Sequence, residues 1–297
     1  MKPAKIFQQY IWLVTLLRLH PRLTLEEISS RWIHDKVIDG KPLIRASFFR
    51  HKDAILNMFG IVIECDVDNG YRYYIANPEM LDEGSVESWM LSTLTVNNAL
   101  SNSTSLKGRI LLENVPAGEE YLQIIINAMR TERCVNMTYR RFGGESQQRV
   151  VAPYALKLFH RRWYMLAHTG HHLAVWSLDR MLSVSLSDEN FVMPKDFSAS
   201  EYFKDYFGVT TTTEVPLVHV VIRVSGWAPD YLRTLPLHHS QKELVSTTDY
   251  TDFSFDIRPT PDFIGELMSY GDSLEVLQPE DLRLKICKIL QDSLNKY

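Results

Sequence analysis

Residues 134–186, CVNMTYRRFGGESQQRVVAPYALKLFHRRWYMLAHTGHHLAVWSLDRMLSVSL, decide the fold of the middle of this chain. Apolar and polar residues alternate with a period of two, and Gly143-Gly144 and Gly170 punctuate the alternation as turns do. The stretch therefore predicts four or five short strands of a small, strongly bent sheet or barrel. Inside it, RRWYM at 161–165 sets two arginines against two aromatics. The arginine fork matches phosphate oxygens and aromatic rings offer stacking faces to bases, so a flat anionic guest such as a nucleotide or single-stranded nucleic acid suits it. In a strand through 161–166, Arg162, Tyr164 and Leu166 face one way and Arg161, Trp163 and Met165 the other, which reads Trp163 as core.

Charge singles out the same stretch. Residues 130–180 carry nine Lys and Arg against three Asp and Glu, with four histidines besides, in a chain whose net charge is −4. Residues 1–75 form the other basic segment, eleven against eight. Two basic segments in an acidic chain imply two separate anion-binding surfaces. In the middle segment the residues placed to touch a ligand are Tyr139, Arg141, Tyr154, Lys157, His160, Arg162, Tyr164 and Arg180. His168, His171 and His172 lack a neighbouring Cys or carboxylate and sit on an apparent turn, so they read as exposed turn residues and no metal site is expected.

The N-terminal segment reads as three helices and a hairpin. Apolar residues recur at three- and four-residue spacing from Lys5 to Leu19, Thr24 and Glu27 form a capping box, and Gly60 closes a third helix. Asp68-Asn69-Gly70 then sits between two β-rich runs. This order is that of a winged helix-turn-helix, whose third helix enters the major groove while the hairpin touches the flanking backbone. Ser47, Arg50 and His51 are the expected base readers, and Arg45, Lys52 and Arg72 the expected phosphate contacts. A small module docked on a neighbour, its basic residues facing water, is the competing reading.

Residues 79–133 predict a mostly helical linker, with a short strand at RILLE and apolar faces including Trp89, Met90, Leu94, Ile124, Ile125 and Met129 that read as core or dimer contacts. The last third reads strand, helix, strand, strand, helix, strand, helix, an α+β sandwich in which Arg258 and His238–Gln241 are further candidate contacts. Three distant cysteines offer neither a disulfide framework nor a metal pair, and no apolar run reaches membrane-spanning length, which predicts a cytoplasmic protein.

The succession TYRRF, VAPYALKLFHRRWYMLAH and VWSLDRM resembles the WYL domain, with Trp163-Tyr164-Met165 at its signature tripeptide. Matching positions are Tyr139, Pro153-Tyr154, Arg162-Trp163-Tyr164 and Leu178-Asp179-Arg180. Met165 replaces the usual leucine, a nearly volume-conserving swap, and Ala174 stands where many members have an arginine. The resemblance implies an α+β multidomain regulator: a winged helix over 1–78, the linker over 79–133, an Sm-like or SH3-like ligand-sensing barrel over 134–205 and a C-terminal extension over 214–297. It further implies a bacterial transcriptional regulator that senses a nucleic-acid-like or nucleotide-like ligand and binds duplex DNA. Half-site logic adds a homodimer on a palindromic operator. No Walker A loop, GxGxxG, GxSxG or HExxH occurs, so neither an enzyme nor a cofactor is expected. An accessory nucleic-acid-binding protein without regulatory output and a nucleotide-processing enzyme remain as alternatives.

Overall fold

The structure, a computed structural model, describes residues 3–38, 40–81, 89, 90, 93 and 118–297, and the chain divides into two compact units, 1–112 and 113–297. Most of the expected linker, including Leu94 and RILLE, lies outside the described residues.

In the first unit, α1 (Pro3–Leu19), β1 (Leu23–Thr24), α2 (Leu25–His34), α3 (Arg45–Phe59), β2 (Ile63–Asp66) and β3 (Arg72–Ile75) follow in order, and the strands pair antiparallel as β1-β3-β2. This is the winged-helix succession. The capping box is complete: Thr24 Oγ1 accepts from the Glu27 amide at 3.2 Å and the Thr24 amide donates to the Glu27 carboxylate at 2.8 Å. Gly60 ends α3 at φ 65, a left-handed backbone that a side chain would strain. Leu13, Leu17, Ile28, Trp32, Phe48, Ile55 and Phe59 interlock the helices and are essentially inaccessible.

The second unit holds two sheets. The first joins β4 (Arg133–Arg140), β5 (Ser146–Phe159), β6 (Arg162–His168), β7 (Leu173–Ser177) and β8 (Met181–Asn190) in the order β7-β6-β5-β4-β8. Its concave side closes over Val135, Met137, Val151, Met165 and Ala167, and α4 (Leu122–Arg130) fills the remaining opening with Ile125 and Ala128. Hence α4 completes the barrel core. Leu178–Arg180 forms a 3₁₀ turn between β7 and β8. His160 and Arg161 form the two-residue turn between β5 and β6, at φ 46 and 64, both left-handed as a type I′ turn requires. Arg161 thus caps the hairpin, while Trp163 packs with Met165 against the core, as alternation predicted.

After α5 (Ala199–Phe203), the second sheet contains β9 (Val218–Ser225), β10 (Lys242–Ser246), β11 (Tyr250–Ile257) and β12 (Leu274–Gln278), ordered β10-β11-β9-β12. The helices α6 (Ala228–Thr234), α7 (Pro261–Ser269) and α8 (Glu280–Leu294) accompany them in a split βαβ pattern. Phe253, Phe255, Phe263 and Leu267 pack its core. Among the described residues no helix is long and apolar enough to cross a membrane.

Candidate functional site

At one end of the first sheet lies a cavity of about 350 Å³ lined by Tyr139, Arg141, Arg149, Val150, Val151, Thr169, His171, His172, Ala174, Val175, Trp176 and Arg180. No acidic side chain is among these described lining residues. The sheet explains the gathering. Tyr139 near the end of β4, Val151 on β5 and Trp176 on β7 point to the core side and form the floor, with Tyr139 edge-on to Trp176 at 4.9 Å. Arg180 leaves the 3₁₀ turn to lie over the Tyr139 ring at 5.1 Å and the Phe142 ring at 4.1 Å, and its Nε donates to the Arg140 carbonyl at 3.3 Å. Arg149 donates to Gln147 Oε1 at 2.7 Å. Burial, ahead of the opposing influence of Arg180, raises the Tyr139 phenol above its usual range, so it stays neutral at physiological pH. The Trp176 indole N–H is buried and meets no acceptor among the described residues. Such an orphan donor beside three guanidinium groups suits an anion bearing several acceptor oxygens.

Of the sequence-predicted ligand contacts, Tyr139, Arg141 and Arg180 meet here. The other five do not line this cavity. Arg162 pairs with Asp179 at 3.1 Å, and the same carboxylate accepts a hydrogen bond from Ser177. Lys157 Nζ donates to the Gly208 carbonyl at 2.7 Å and lies 4.2 Å from the Phe203 ring centre; burial, partly offset by Asp262, lowers its pKa to about 8. His160 stacks on Phe159 at 4.1 Å and approaches Glu266 at 3.8 Å. Tyr154 lies among His168, Phe191 and Phe197. Burial is the main influence raising the Tyr164 phenol, opposed first by Arg162. Among sequence readings, these five correct the grouping: two strand faces and a turn separate them from the cavity. Conversely, His171 and His172, read as bare turn residues, line it together with Arg149, whose SQQR context carried no signal beyond charge.

Arg258 and His238, also candidate contacts, instead hold the segment ahead of β9. Arg258 Nη1 donates to the Val215 carbonyl at 2.7 Å, and His238 Nε2 lies 2.6 Å from the Lys204 carbonyl. Asp262, in the first turn of α7, accepts from the Val209 and Thr210 amides, each at 2.7 Å. Gly208 passes so close to this carboxylate that a Cβ there would collide with it.

In the first unit, Arg45 and Arg50 are exposed near the start of α3, and Arg50 Nη2 donates to Ser47 Oγ at 3.0 Å. Ser47 and Arg50 share one polar flank of the helix, while Arg45 on the other flank lies over the Phe49 ring at 5.6 Å. Lys52 is half-buried. His51 corrects the sequence reading: it is 9% exposed, stacked on Trp32 at 5.8 Å and edge-on to Tyr10 at 5.3 Å, so its ring packs three helices together and is not on the exposed face. Burial, then Arg50, lowers its pKa. Arg72 donates to the Arg22 carbonyl at 2.9 Å and pairs with Glu27 at 3.4 Å, which ties the hairpin to α2.

Comparison with known proteins places the barrel. Residues 120–186 match the WYL domain, and residues 216–294 match the WCX domain. The chain carries a WYL domain followed by a WCX domain. The arginine cavity belongs to its WYL domain. Two solved structures are similar in part. The first is proteasome accessory factor B/C (PafBC) of Arthrobacter aurescens, at 20% identity and TM-score 0.36, covering 97% of this chain and 46% of that one. The second is a CRISPR Cas-related protein, at 10% identity and TM-score 0.41, covering 99% of this chain and 85% of the other. The chain therefore spans less than half the length of the first. Among curated proteins none matches.

Proposed function

We propose that this protein is a ligand-responsive transcriptional regulator. Its N-terminal unit binds duplex DNA through Ser47 and Arg50 on α3, with Arg45 at the helix start, and its WYL cavity binds a nucleotide-like or nucleic-acid-like anion. The observation that carries the reading is the cavity: Arg141, Arg149 and Arg180 converge with no carboxylate among the described lining residues, beside the orphan Trp176 donor. Arginine forks recognise phosphate oxygens in pairs, and the neutral phenol and indole give a nucleotide an uncharged wall. A winged helix on the same chain supports an operator as the output, and half-site geometry supports a homodimer. The ligand regulates by binding the DNA-competent and DNA-incompetent states unequally.

The test is fluorescence anisotropy at fixed, near-physiological salt, with protein titrated into a duplex from upstream of its own gene, with and without a short single-stranded oligonucleotide. Salt is held constant because phosphate contacts make such affinities salt-dependent. A regulator shows sequence-preferring duplex binding that the oligonucleotide shifts at concentrations too low for competition. Loss of all duplex preference would favour the accessory nucleic-acid-binding reading instead.

A further inference from the structure

The part of α3 that points away from the core follows from helix geometry. Phe48, His51, Ile55 and Phe59 are its buried residues. Ala46, Arg50, Asp53 and Asn57 each lie two positions from at least one of them, about 200° around the axis, and all four are exposed. They therefore form one row along the crest of the helix. Ser47 lies beside this row on one flank and Arg45 on the other, so a groove that receives α3 meets the row first.

Two members of the row do nothing for the helix itself. Aspartate and asparagine are poor helix formers, and an exposed position inside a helix is better served by Ala, Glu, Lys or Gln. Packing does not explain them either, because both are exposed. Arg50 turns back to Ser47 Oγ at 3.0 Å, and among the described residues Asp53 has no ion-pair partner. An open carboxylate on a helix that enters a duplex is repelled by the phosphates, a cost offset only where a base edge donates to it. In the major groove cytosine N4 is such a donor; guanine and thymine offer oxygen acceptors, and adenine sets its N7 lone pair beside its amino group. Asparagine matches that adenine pattern with two hydrogen bonds, as arginine matches guanine O6 and N7.

We infer that Asp53 and Asn57 are specificity-determining residues of the DNA-binding helix, Asp53 accepting from a cytosine and Asn57 pairing with an adenine, in one row with Arg50 on a guanine. This rests on the DNA-binding reading of the N-terminal unit and adds the bases that unit selects. Arg50 and Asn57 are two turns apart, about 10 Å along the axis, a span of about three base-pair steps. Asp53 acts largely by exclusion: it lowers affinity for every duplex and lowers it least for the one that presents cytosine.

The experiment is selection by the full chain from a pool of random-sequence duplexes at one salt concentration, followed by fluorescence anisotropy with the selected duplex and a scrambled one. The wild-type protein should select a guanine, a cytosine and an adenine in neighbouring pairs, each worth about fivefold to a hundredfold in discrimination. Asp53→Ala should lose the cytosine preference and bind the scrambled duplex about threefold more tightly, since one repelling charge is gone. Asn57→Ala, which removes no charge, should lose the adenine preference and leave scrambled-duplex affinity within about twofold. Both substitutions place a better helix former at an exposed position, so neither should lower the thermal midpoint. A residue that only supports the fold would change neither the selected bases nor affinity in this direction. A base preference that survives its substitution, or weaker scrambled-duplex binding by Asp53→Ala, overturns the inference while the DNA-binding reading stands. A wild-type protein that selects no sequence overturns that reading and the inference with it.

Discussion

At the cavity end of the WYL sheet, Arg141, Arg149 and Arg180 gather with no acidic side chain among the described lining residues, whereas on the side facing the connector, residues 204–217 ahead of β9, Arg162 and Lys157 are each committed to a partner within the chain. Both groups come from one basic stretch and look alike in sequence. The difference teaches that a cation's role follows from what the neighbouring strands bring beside it. Arg162 meets an Asp179 side chain only 10% exposed, and that carboxylate fixes it. Lys157 lies over Phe203 and under the Gly208 carbonyl, where it joins the barrel to the segment leading into the WCX domain. Around Arg180 the nearest described partners are two rings and a backbone carbonyl, which leave its terminal nitrogens free for an incoming oxygen.

The largest expected effect separates the two groups by binding. Arg180→Ala should weaken binding of a 5′-phosphorylated mononucleotide by about tenfold to a hundredfold, the loss of one or two charge-assisted hydrogen bonds, with the thermal midpoint nearly unchanged. Titration calorimetry with a parallel melt checks both halves. If the midpoint falls instead, Arg180 belongs with the structural cations.

Next comes the connector. Asp262→Ala strands the Val209 and Thr210 amides and should cost about 2 kcal/mol of stability, read by denaturant unfolding, while mononucleotide affinity stays within twofold. A matching loss of affinity would show that the connector shapes the cavity. Arg162→Ala leaves Asp179 without its cation and should cost about 1 kcal/mol, its partial exposure keeping the figure low. That substitution too should spare mononucleotide binding.

Two further expected effects are pH dependences. Lys157 has its folded pKa lowered to about 8 by burial, against 10.5 for the ordinary side chain. Above about pH 8 the folded protein sheds a proton that the unfolded chain keeps to about 10.5, so stability should rise with pH across that window. Lys157→Met should flatten the rise. His51 works at the acid end of the first unit. Its pKa is lowered from 6.5, so below about 6.5 the unfolded chain takes up a proton first and stability should fall as pH drops. The groups packed on the ring are Trp32 from α2 and Tyr10 from α1, with Arg50 the nearby charge. His51→Phe should blunt that fall.

Much of the architecture was legible because it rests on local patterns. The Thr24–Glu27 capping box, Gly60 and the two-residue alternation of β6 each act within a few residues, and each appears in the structure as predicted. The split βαβ order of the last third was readable for the same reason. Helix phase was harder: His51 lies three residues after Phe48 and four before Ile55 on the buried face of α3, but adjacent Phe48 and Phe49 compete in sequence to set that face. The cavity was half legible. Tyr139, Arg141 and Arg180 stood out by type, but Arg149, His171 and His172 reach it only because β5 bends and the β6–β7 turn folds over it. Lys157 and Arg162 were chosen for charge, which sequence shows; their partners Gly208 and Asp179 are 51 and 17 residues away, a separation sequence pattern does not resolve.

The most direct measurement is a calorimetric titration of one 5′-phosphorylated mononucleotide into the wild-type protein, Arg180→Ala and Arg162→Ala at a single salt concentration. The cavity account predicts that Arg180→Ala loses at least tenfold in affinity while Arg162→Ala binds as the wild type does. Undiminished binding by Arg180→Ala, with affinity lost in a folded Arg162→Ala, would contradict it and move the ligand to the connector-facing side.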